Sequence, residues 1–237
     1  MALNCLQMIQ TACLRLGIAS PTAAASSVDQ QVLQLLALLN EEGQFLAQAT
    51  NWQSLTVETS FTTVATEIQG SLATIAPGCK FIINDTIWNR DLRRPVYGPL
   101  GPQSWQQQEA MFMQGPWNQY RIVQGQIKFI PIPAAGQACY FEYVTENWAT
   151  DVTGATGKSA FTADDDVPLL DSSLMVLGLI ARWKQVKGFD YSADAGKYEQ
   201  QLQNLMGRDA SRPTLNMNGS TDEILPLILV PRGSWMQ

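Results

Sequence analysis

The hydrophobic residues of this 237-residue chain change their period twice, and these changes constrain its fold more than any other feature. From residue 4 to about residue 49, apolar residues recur every three or four positions, which is the spacing of amphipathic helices. From about residue 52 to residue 148 the chain is rich in Gly, Pro, aromatic and β-branched residues, as short strands and turns are. The helical period returns from about residue 168 to residue 209. The sequence therefore predicts helices on both sides of a β-rich insert.

The first helical region contains two predicted helices. Residues 4–16 place apolar side chains on one broad stripe, and a leucine-rich stripe runs from about Val28 to Ala49. Ser26 or Ser27 is the expected cap of the second helix, since a hydroxyl oxygen accepts hydrogen bonds from the first free amides. We expect the two helices to pack as an antiparallel hairpin within residues 1–51.

Residues 52–150 are predicted to form an inserted small antiparallel β domain. Lys80–Trp88 and Tyr120–Ile130 have the composition of strands, and Gln124-Gly125 predicts a tight turn that makes the second of them a hairpin. Gln137–Trp148 is expected to return as a further strand.

Two more helices are predicted within residues 151–210, from Pro168 to Lys187 and from Ser192 to Asp209. Proline suits the first turn of a helix because its missing amide hydrogen is not needed there. With the first pair, these helices are expected to complete a four-helix bundle, so the predicted fold class is α+β with an extended arm at residues 211–237.

The arm contains an apolar strip, Ile224–Val230, in which Pro226 and the following Pro231 exclude a helix. Such a segment either packs on its own domain or is donated to a partner by strand addition. Leu229–Ser234 also matches a thrombin-cleavage linker, and because no purification tag follows it we interpret it as native sequence. The residues predicted to contact a partner or a neighbouring subunit are Ile224, Leu225, Leu227, Ile228, Leu229, Val230 and Trp235.

The charge of the chain argues against a protein that grips DNA. The formal net charge is −6 and no run of basic residues occurs, whereas DNA binding requires clustered Lys and Arg. An acidic surface is compatible with DNA that slides past it. Only 15% of the residues are charged, which is below the usual value of about 25% and fits either a surface buried against neighbours or sequence drift. The sequence contains no apolar stretch of about 18 residues, so it predicts no membrane span.

The sequence offers little catalytic or metal-binding chemistry. It contains no histidine, and its four cysteines lack CxxC spacing, so neither a Ser-His-Asp triad nor a zinc site is predicted. Gly154–Ser159 resembles a phosphate-binding loop, but Val152 stands where the signature requires glycine, and a polar loop is expected instead. Asp164, Asp165 and Asp166 are predicted to solvate a helix start rather than to hold a metal ion. No cofactor is expected.

The insert carries four tryptophans, namely Trp88, Trp105, Trp117 and Trp148. They fit a platform on which sugars or bases stack, or else a small β core or a subunit interface, where aromatic residues are common.

Arg90, Arg93 and Arg94 form the local positive cluster of the chain. Because the chain is acidic overall, we expect these arginines to pair with a neighbouring subunit rather than with DNA. Together with Trp105 and Trp117 they are the predicted contacts with a neighbouring subunit or another partner.

The order of these segments resembles bacteriophage head-to-tail connector (adaptor) proteins. The helix that ends in Ala12–Ile18, followed by a short polar gap and a leucine-rich helix that closes at Trp52, is similar to the start of that family. Tyr120–Pro133 resembles the insert of adaptor-like proteins from short-tailed phages. The helix that ends near Lys187 and the helix that contains Tyr198–Leu202 are similar to the closing helices.

The resemblance covers about residues 3 to 210. It implies a homo-oligomeric ring, commonly a dodecamer, beneath the portal protein at the head–tail junction of the virion, with the subunits made in the host cytoplasm. Such a ring seals the DNA-filled capsid, offers a platform to a tail nozzle or tail fibre protein, and leaves a channel for double-stranded DNA. It also implies a C-terminal arm that lies against the portal or a neighbouring subunit.

Two other classes of function stay open at this stage. One is a tail-associated binding module that recognises a glycan or a tail fibre through the tryptophan-rich insert. The other is a cell-wall hydrolase with two catalytic carboxylates, since acidic residues distant in sequence can meet in space.

Overall fold

The computed structural model describes residues 3–111 and 115–209. Within these residues there are six α-helices: α1 (Cys5–Leu16), α2 (Gln30–Ala49), α3 (Leu72–Ile75), α4 (Pro102–Ala110), α5 (Ser172–Lys187) and α6 (Ser192–Asp209). The strands in the same residues are β1 (Thr56–Thr62), β2 (Ile68–Ser71), β3 (Cys79–Ile82), β4 (Trp88–Asn89), β5 (Arg94–Pro95), β6 (Gln119–Val123), β7 (Gln126–Ile130), β8 (Ala138–Thr145), β9 (Ala149–Thr150), β10 (Gly157–Lys158) and β11 (Val167–Pro168).

The ends of the first two helices follow from their capping residues. Asn4 accepts a hydrogen bond from the amide of Gln7, and the Gln7 side chain bonds back to the Asn4 amide, so α1 begins with a capping box. Helix α2 begins two residues later than predicted, because the carboxylate of Asp29, rather than a serine, accepts the hydrogen bond from Gln31. A carboxylate also suits the positive end of the helix dipole.

Helix α5 begins at Ser172 and not at Pro168. The Asp171 side chain caps it by accepting a hydrogen bond from the amide of Leu174, at 2.8 Å. Pro168 is still extended, because Val167–Pro168 pairs with Ala149–Thr150 in a small sheet that β10 completes. The predicted first-turn proline is therefore a strand residue.

Two larger antiparallel sheets form the insert. In the first, β1 pairs along nearly all of β8, while β3 and β4 pair with different parts of β8 and β5 continues beyond β4. In the second, β7 lies between β2 and β6. The hairpin of β6 and β7 confirms the predicted turn, since Gln124 and Gly125 have φ angles of 52° and 71°. Both angles lie in the left-handed region that such hairpin turns require.

The predicted four-helix bundle is wrong. Helices α1, α2 and α6 each pack on α5, whereas α1 and α2 make little contact with one another, and α6 has no fully buried residue. The start of α1 is held elsewhere, because the amides of Cys5 and Leu6 donate to the carbonyls of Asp166 and Asp164 at 2.8 and 3.1 Å. Apolar periodicity shows which face of a helix is buried, but not what covers that face.

The described residues contain two separate apolar clusters. The helical cluster surrounds α5 and also takes in Val144, Trp148 and Phe161 from strands and loops. The insert cluster lies between the two larger sheets and includes Phe129 and Phe141. Strand β8 contributes to both clusters, so the helices and the insert share a strand. The division of the chain at residues 52, 150 and 211 stays a prediction.

Candidate interaction surfaces

Exposed apolar side chains lie along the boundary between α2 and α5. Leu33, Phe45 and Val186 expose 44%, 46% and 56% of their surface, and we call these three residues the α2–α5 surface. Leu33 shares a shallow groove with Lys187, and the Arg182 guanidinium lies 5.2 Å from the centre of the Phe45 ring. Their exposure on two helices that pack together makes this region a candidate for contact with another protein.

Arg182 joins this surface to the buried interior. Its Nε donates to Glu42 Oε2 at 2.5 Å, and its Nη1 donates to Glu41 Oε1 at 2.7 Å. Glu42 is fully buried, and its carboxylate fits against Gly178 on α5, where a methyl group would overlap it. The ion pair therefore locks α2 to α5 directly beneath the exposed apolar side chains.

Lys158, the lysine of the phosphate-loop-like sequence, is engaged by a buried carboxylate. Its Nζ lies 2.6 Å from Asp166 Oδ1, and the amides of Thr162 and Ala163 donate to Asp166 Oδ2 at 2.8 and 2.9 Å. Burial raises the pKa of Asp166, but the hydrogen bonds from Lys158 and from the two amides together lower it by more. The pKa of Asp166 therefore lies below its ordinary value. This arrangement holds a loop in place and leaves no lysine for a phosphate.

The aspartate run is not a helix start, contrary to the prediction. Asp164 Oδ1 accepts hydrogen bonds from the amides of Ala24 and Ala25 at 2.9 and 2.7 Å, so it fixes the connection between α1 and α2. Asp166 fixes its own loop through the contacts above. Both carboxylates hold backbone segments together, and that role has no local sequence signature.

The predicted arginine contacts fall into two settings. Arg90 is paired with Glu58 of the same chain and lies 3.6 Å from the centre of the Tyr140 ring. Arg93 is exposed in a turn with a left-handed φ of 55°. Arg94 lies 5.3 Å from the centre of the Trp117 ring. Arg93 and Arg94 are therefore better placed than Arg90 to contact a partner, because they have fewer contacts within the chain to lose.

The tryptophans of the insert do not share one surface. Trp105 is buried in α4, a helix that the sequence does not predict. A buried side chain does not favour the contact role predicted for Trp105. Trp148 is buried in the helical cluster, where it packs edge-on against Phe161 and covers Gly43. Trp88 is half-buried, whereas Trp117 is 42% exposed and packs edge-on against the exposed Tyr97.

An apolar cavity lies where the described part of the chain ends. It has a volume of about 230 Å³, and its walls are Leu46, Trp52, Leu170, Leu174 and Leu205. The arm residues predicted to bind a partner, Ile224, Leu225, Leu227, Ile228, Leu229, Val230 and Trp235, lie outside the described residues.

The thiols are placed as core residues rather than as nucleophiles. Burial, with a smaller effect of Asp164, raises the pKa of Cys5 to about 12, and burial together with Asp91 raises the pKa of Cys139 to about 11. In residues 3–111 and 115–209, no three acidic or cysteine side chains group as metal ligands would. None of the helices in that same part of the chain combines the length and apolar character needed to cross a bilayer.

Comparison with known proteins places the chain in no family: no protein-family model matches it, and no curated protein sequence does so either.

Proposed function

We propose that the chain is a structural virion protein, a head-to-tail adaptor whose copies form a ring under the portal. The ring seals the DNA-filled capsid, joins the tail and leaves a channel for double-stranded DNA. Support comes from the order of the helices and the insert, from the resemblance of several segments to adaptor proteins, and from an acidic chain that lacks the basic cluster of a DNA-gripping protein.

The α2–α5 surface is the observation that carries this proposal. Three large apolar side chains there are about half exposed, yet the buried Glu42–Arg182 pair fixes the helices on which they stand. Apolar side chains on helices that are rigidly joined suit a permanent contact, because little conformational entropy is lost when a partner covers them. We assign it to the neighbouring copy in the ring, since a ring needs such a contact on every subunit.

The insert is the proposed tail side. Arg94 and Trp117 are stacked in the subunit before any partner arrives, and Trp117 also packs against Tyr97. Arg, Trp and Tyr are the residue types that dominate the binding energy of protein interfaces. A pre-arranged set of all three at an exposed site favours a protein contact, here a tail nozzle or a tail fibre protein.

Sedimentation of the purified chain with portal rings from the phage that encodes it tests the proposal. The wild-type protein should sediment with the portal as a ring. The double variant Phe45→Gln/Val186→Gln should lose ring formation while keeping its helical circular dichroism. Leu14→Gln, which changes a leucine that is 74% exposed on α1, serves as the matched control and should behave like the wild type. Absence of the wild-type protein from the portal fraction would refute the adaptor assignment.

A further inference from the structure

The apolar cavity beside α6 has the size of a site for aliphatic side chains. An apolar cavity of roughly 150 Å³ holds a benzene-sized group, so about 230 Å³ accommodates one or two branched side chains. Pockets for drug-sized molecules occupy roughly 300–1,000 Å³. A small-molecule cofactor therefore fits this cavity poorly, whereas a leucine or isoleucine from a polypeptide fits it well.

Helix α6 brings the chain to the mouth of this cavity. Arg208 and Asp209 line the rim, and Asp209 Oδ2 accepts a hydrogen bond from the amide of Gln53 at 2.8 Å, which fixes the end of the helix there. Residues 210–223 then separate this point from the apolar strip Ile224–Val230.

The length of this connection places the strip within reach of the cavity. A connection of fourteen residues spans at most about 50 Å, and the ends of a random coil of that length lie about 20 Å apart on average. A tether of that length gives an effective concentration in the millimolar range. At ordinary protein concentrations, the strip of the same chain therefore outcompetes that of another copy.

We propose that in the free subunit Ile224–Val230 folds back and places one or two of its branched side chains in this cavity of its own chain. Docking removes the most apolar segment of the arm from water until a partner takes it. It is a property of the isolated subunit and does not depend on ring formation, whereas release of the strip to a portal rests on the proposed function.

The thrombin-like sequence Leu229–Ser234 provides a direct test, since thrombin would cut after Arg232. The full chain should be cut roughly ten-fold or more slowly than a synthetic peptide of residues 222–237, because cleavage follows the population of the undocked arm. Ser54→Trp fills the mouth of the cavity from an exposed position and should raise the rate to that of the peptide. Gln203→Trp, on the exposed side of α6, is the matched control and should stay protected.

A second variant and a dilution series complete the test. Leu227→Asp should remove protection, when compared with a peptide that carries the same substitution, and it alters no residue of the folded part. Protection should be the same at low and high protein concentration, since the docking is intramolecular. Three outcomes would overturn the proposal: a wild-type rate equal to that of the peptide, protection that survives Ser54→Trp, or protection that disappears on dilution because the arm belongs to another copy.

Discussion

The helical cluster and the insert cluster enclose polar groups of different kinds. Beside the helices, the buried polar side chains include two carboxylates, Glu42 and Asp166, each held by one cation. In the insert, the buried polar side chains among the described residues are neutral, and Thr63 and Asn89 are examples. Thr63 donates to the carbonyl of Ala134, and Asn89 donates to the side chain of Gln137, both at 2.7 Å.

This difference shows how each region is specified. The buried charges beside the helices differ in reach, since Glu42 on α2 pairs with Arg182 on α5 whereas Asp166 pairs with Lys158 eight residues away, but each is costly to leave unpaired. The insert relies on hydrogen bonds between neutral groups and on aromatic contacts, in which Phe61 meets Phe129 and Phe141 edge-on at 5.9 and 6.0 Å. Loss of one member of a polar pair, or a fall in pH, should therefore lower stability more in the helical region than in the insert.

The largest expected effect is that of Arg182→Met. It leaves Glu42 buried without its cation, which should lower the free energy of unfolding by about 3–5 kcal/mol. Chemical denaturation at neutral pH measures it. The control is Arg90→Met in the insert, where both members of the ion pair are about half exposed and the expected loss is about 1 kcal/mol or less. Equal losses in the two variants would remove the contrast between the regions.

Gly178→Ala should be the next in size. A methyl group at this position overlaps the Glu42 carboxylate, so we expect a loss of about 1–3 kcal/mol. Gly196→Ala is the matched substitution in α6, where no atom lies near the added carbon. It should stabilise the protein by up to about 1 kcal/mol because alanine favours a helix. Thermal unfolding should move in opposite directions for the two variants, and a shared direction would contradict the assigned fit of Glu42.

Asp166→Asn should destabilise the protein by about 1–2 kcal/mol at neutral pH, because the Lys158 ion pair is lost and the amides of Thr162 and Ala163 lose their charged acceptor. The folded-state pKa of Asp166 lies below its ordinary value of 3.8, so the ionised form stabilises the fold above that pH. This stabilisation is lost as the pH falls below about 4 and through the folded-state pKa.

Denaturation of wild type and Asp166→Asn between pH 7 and pH 3 measures this effect. The difference between the two proteins should shrink on the acid side. Glu58→Gln, in the exposed ion pair of the insert, should show a smaller difference throughout. A gap between wild type and Asp166→Asn that stays constant down to pH 3 would show that the carboxylate charge contributes nothing.

The smallest difference between the two regions should be in the reactivity of their thiols. Cys79 is half-buried and should react first with an alkylating reagent, since Cys13 in α1 and Cys139 in β8 are buried. Because β8 belongs to both clusters, Cys13 and Cys139 should become reactive at the same urea concentration. Mass spectrometry of labelled peptides measures this. Exposure of Cys139 well before Cys13 would mean that the insert unfolds on its own.

Local features of the chain were predictable from sequence. Both ends of α1, the span of α6 and the hairpin at Gln124-Gly125 depend on caps, apolar spacing and turn residues within a few positions. Helix α4 was missed because its glutamine-rich sequence carries one large apolar residue, Trp105, and so has no helical stripe.

The tertiary arrangement was not predictable in the same way. The prediction of a four-helix bundle is wrong because periodicity does not identify the element that covers an apolar face. Glu42 and Arg182 are 140 residues apart, and nothing local marks them as a pair. Leu33 and Phe45 belong to a helix that also carries a leucine stripe, and their exposure depends on where α5 lies. The sequence carries one indication of this exposure, because Leu33 and Phe45 lie outside the apolar stripe formed by Val32, Leu35, Leu39 and Leu46.

The proposed ring is tested most directly by measuring the mass of the complexes formed when the purified protein meets portal rings from the same phage. We expect a complex heavier than the portal by a whole number of subunits, close to a dodecamer, and loss of that complex when residues 222–237 are deleted. A chain that stays monomeric in the presence of the portal, with no effect of the deletion, would contradict it.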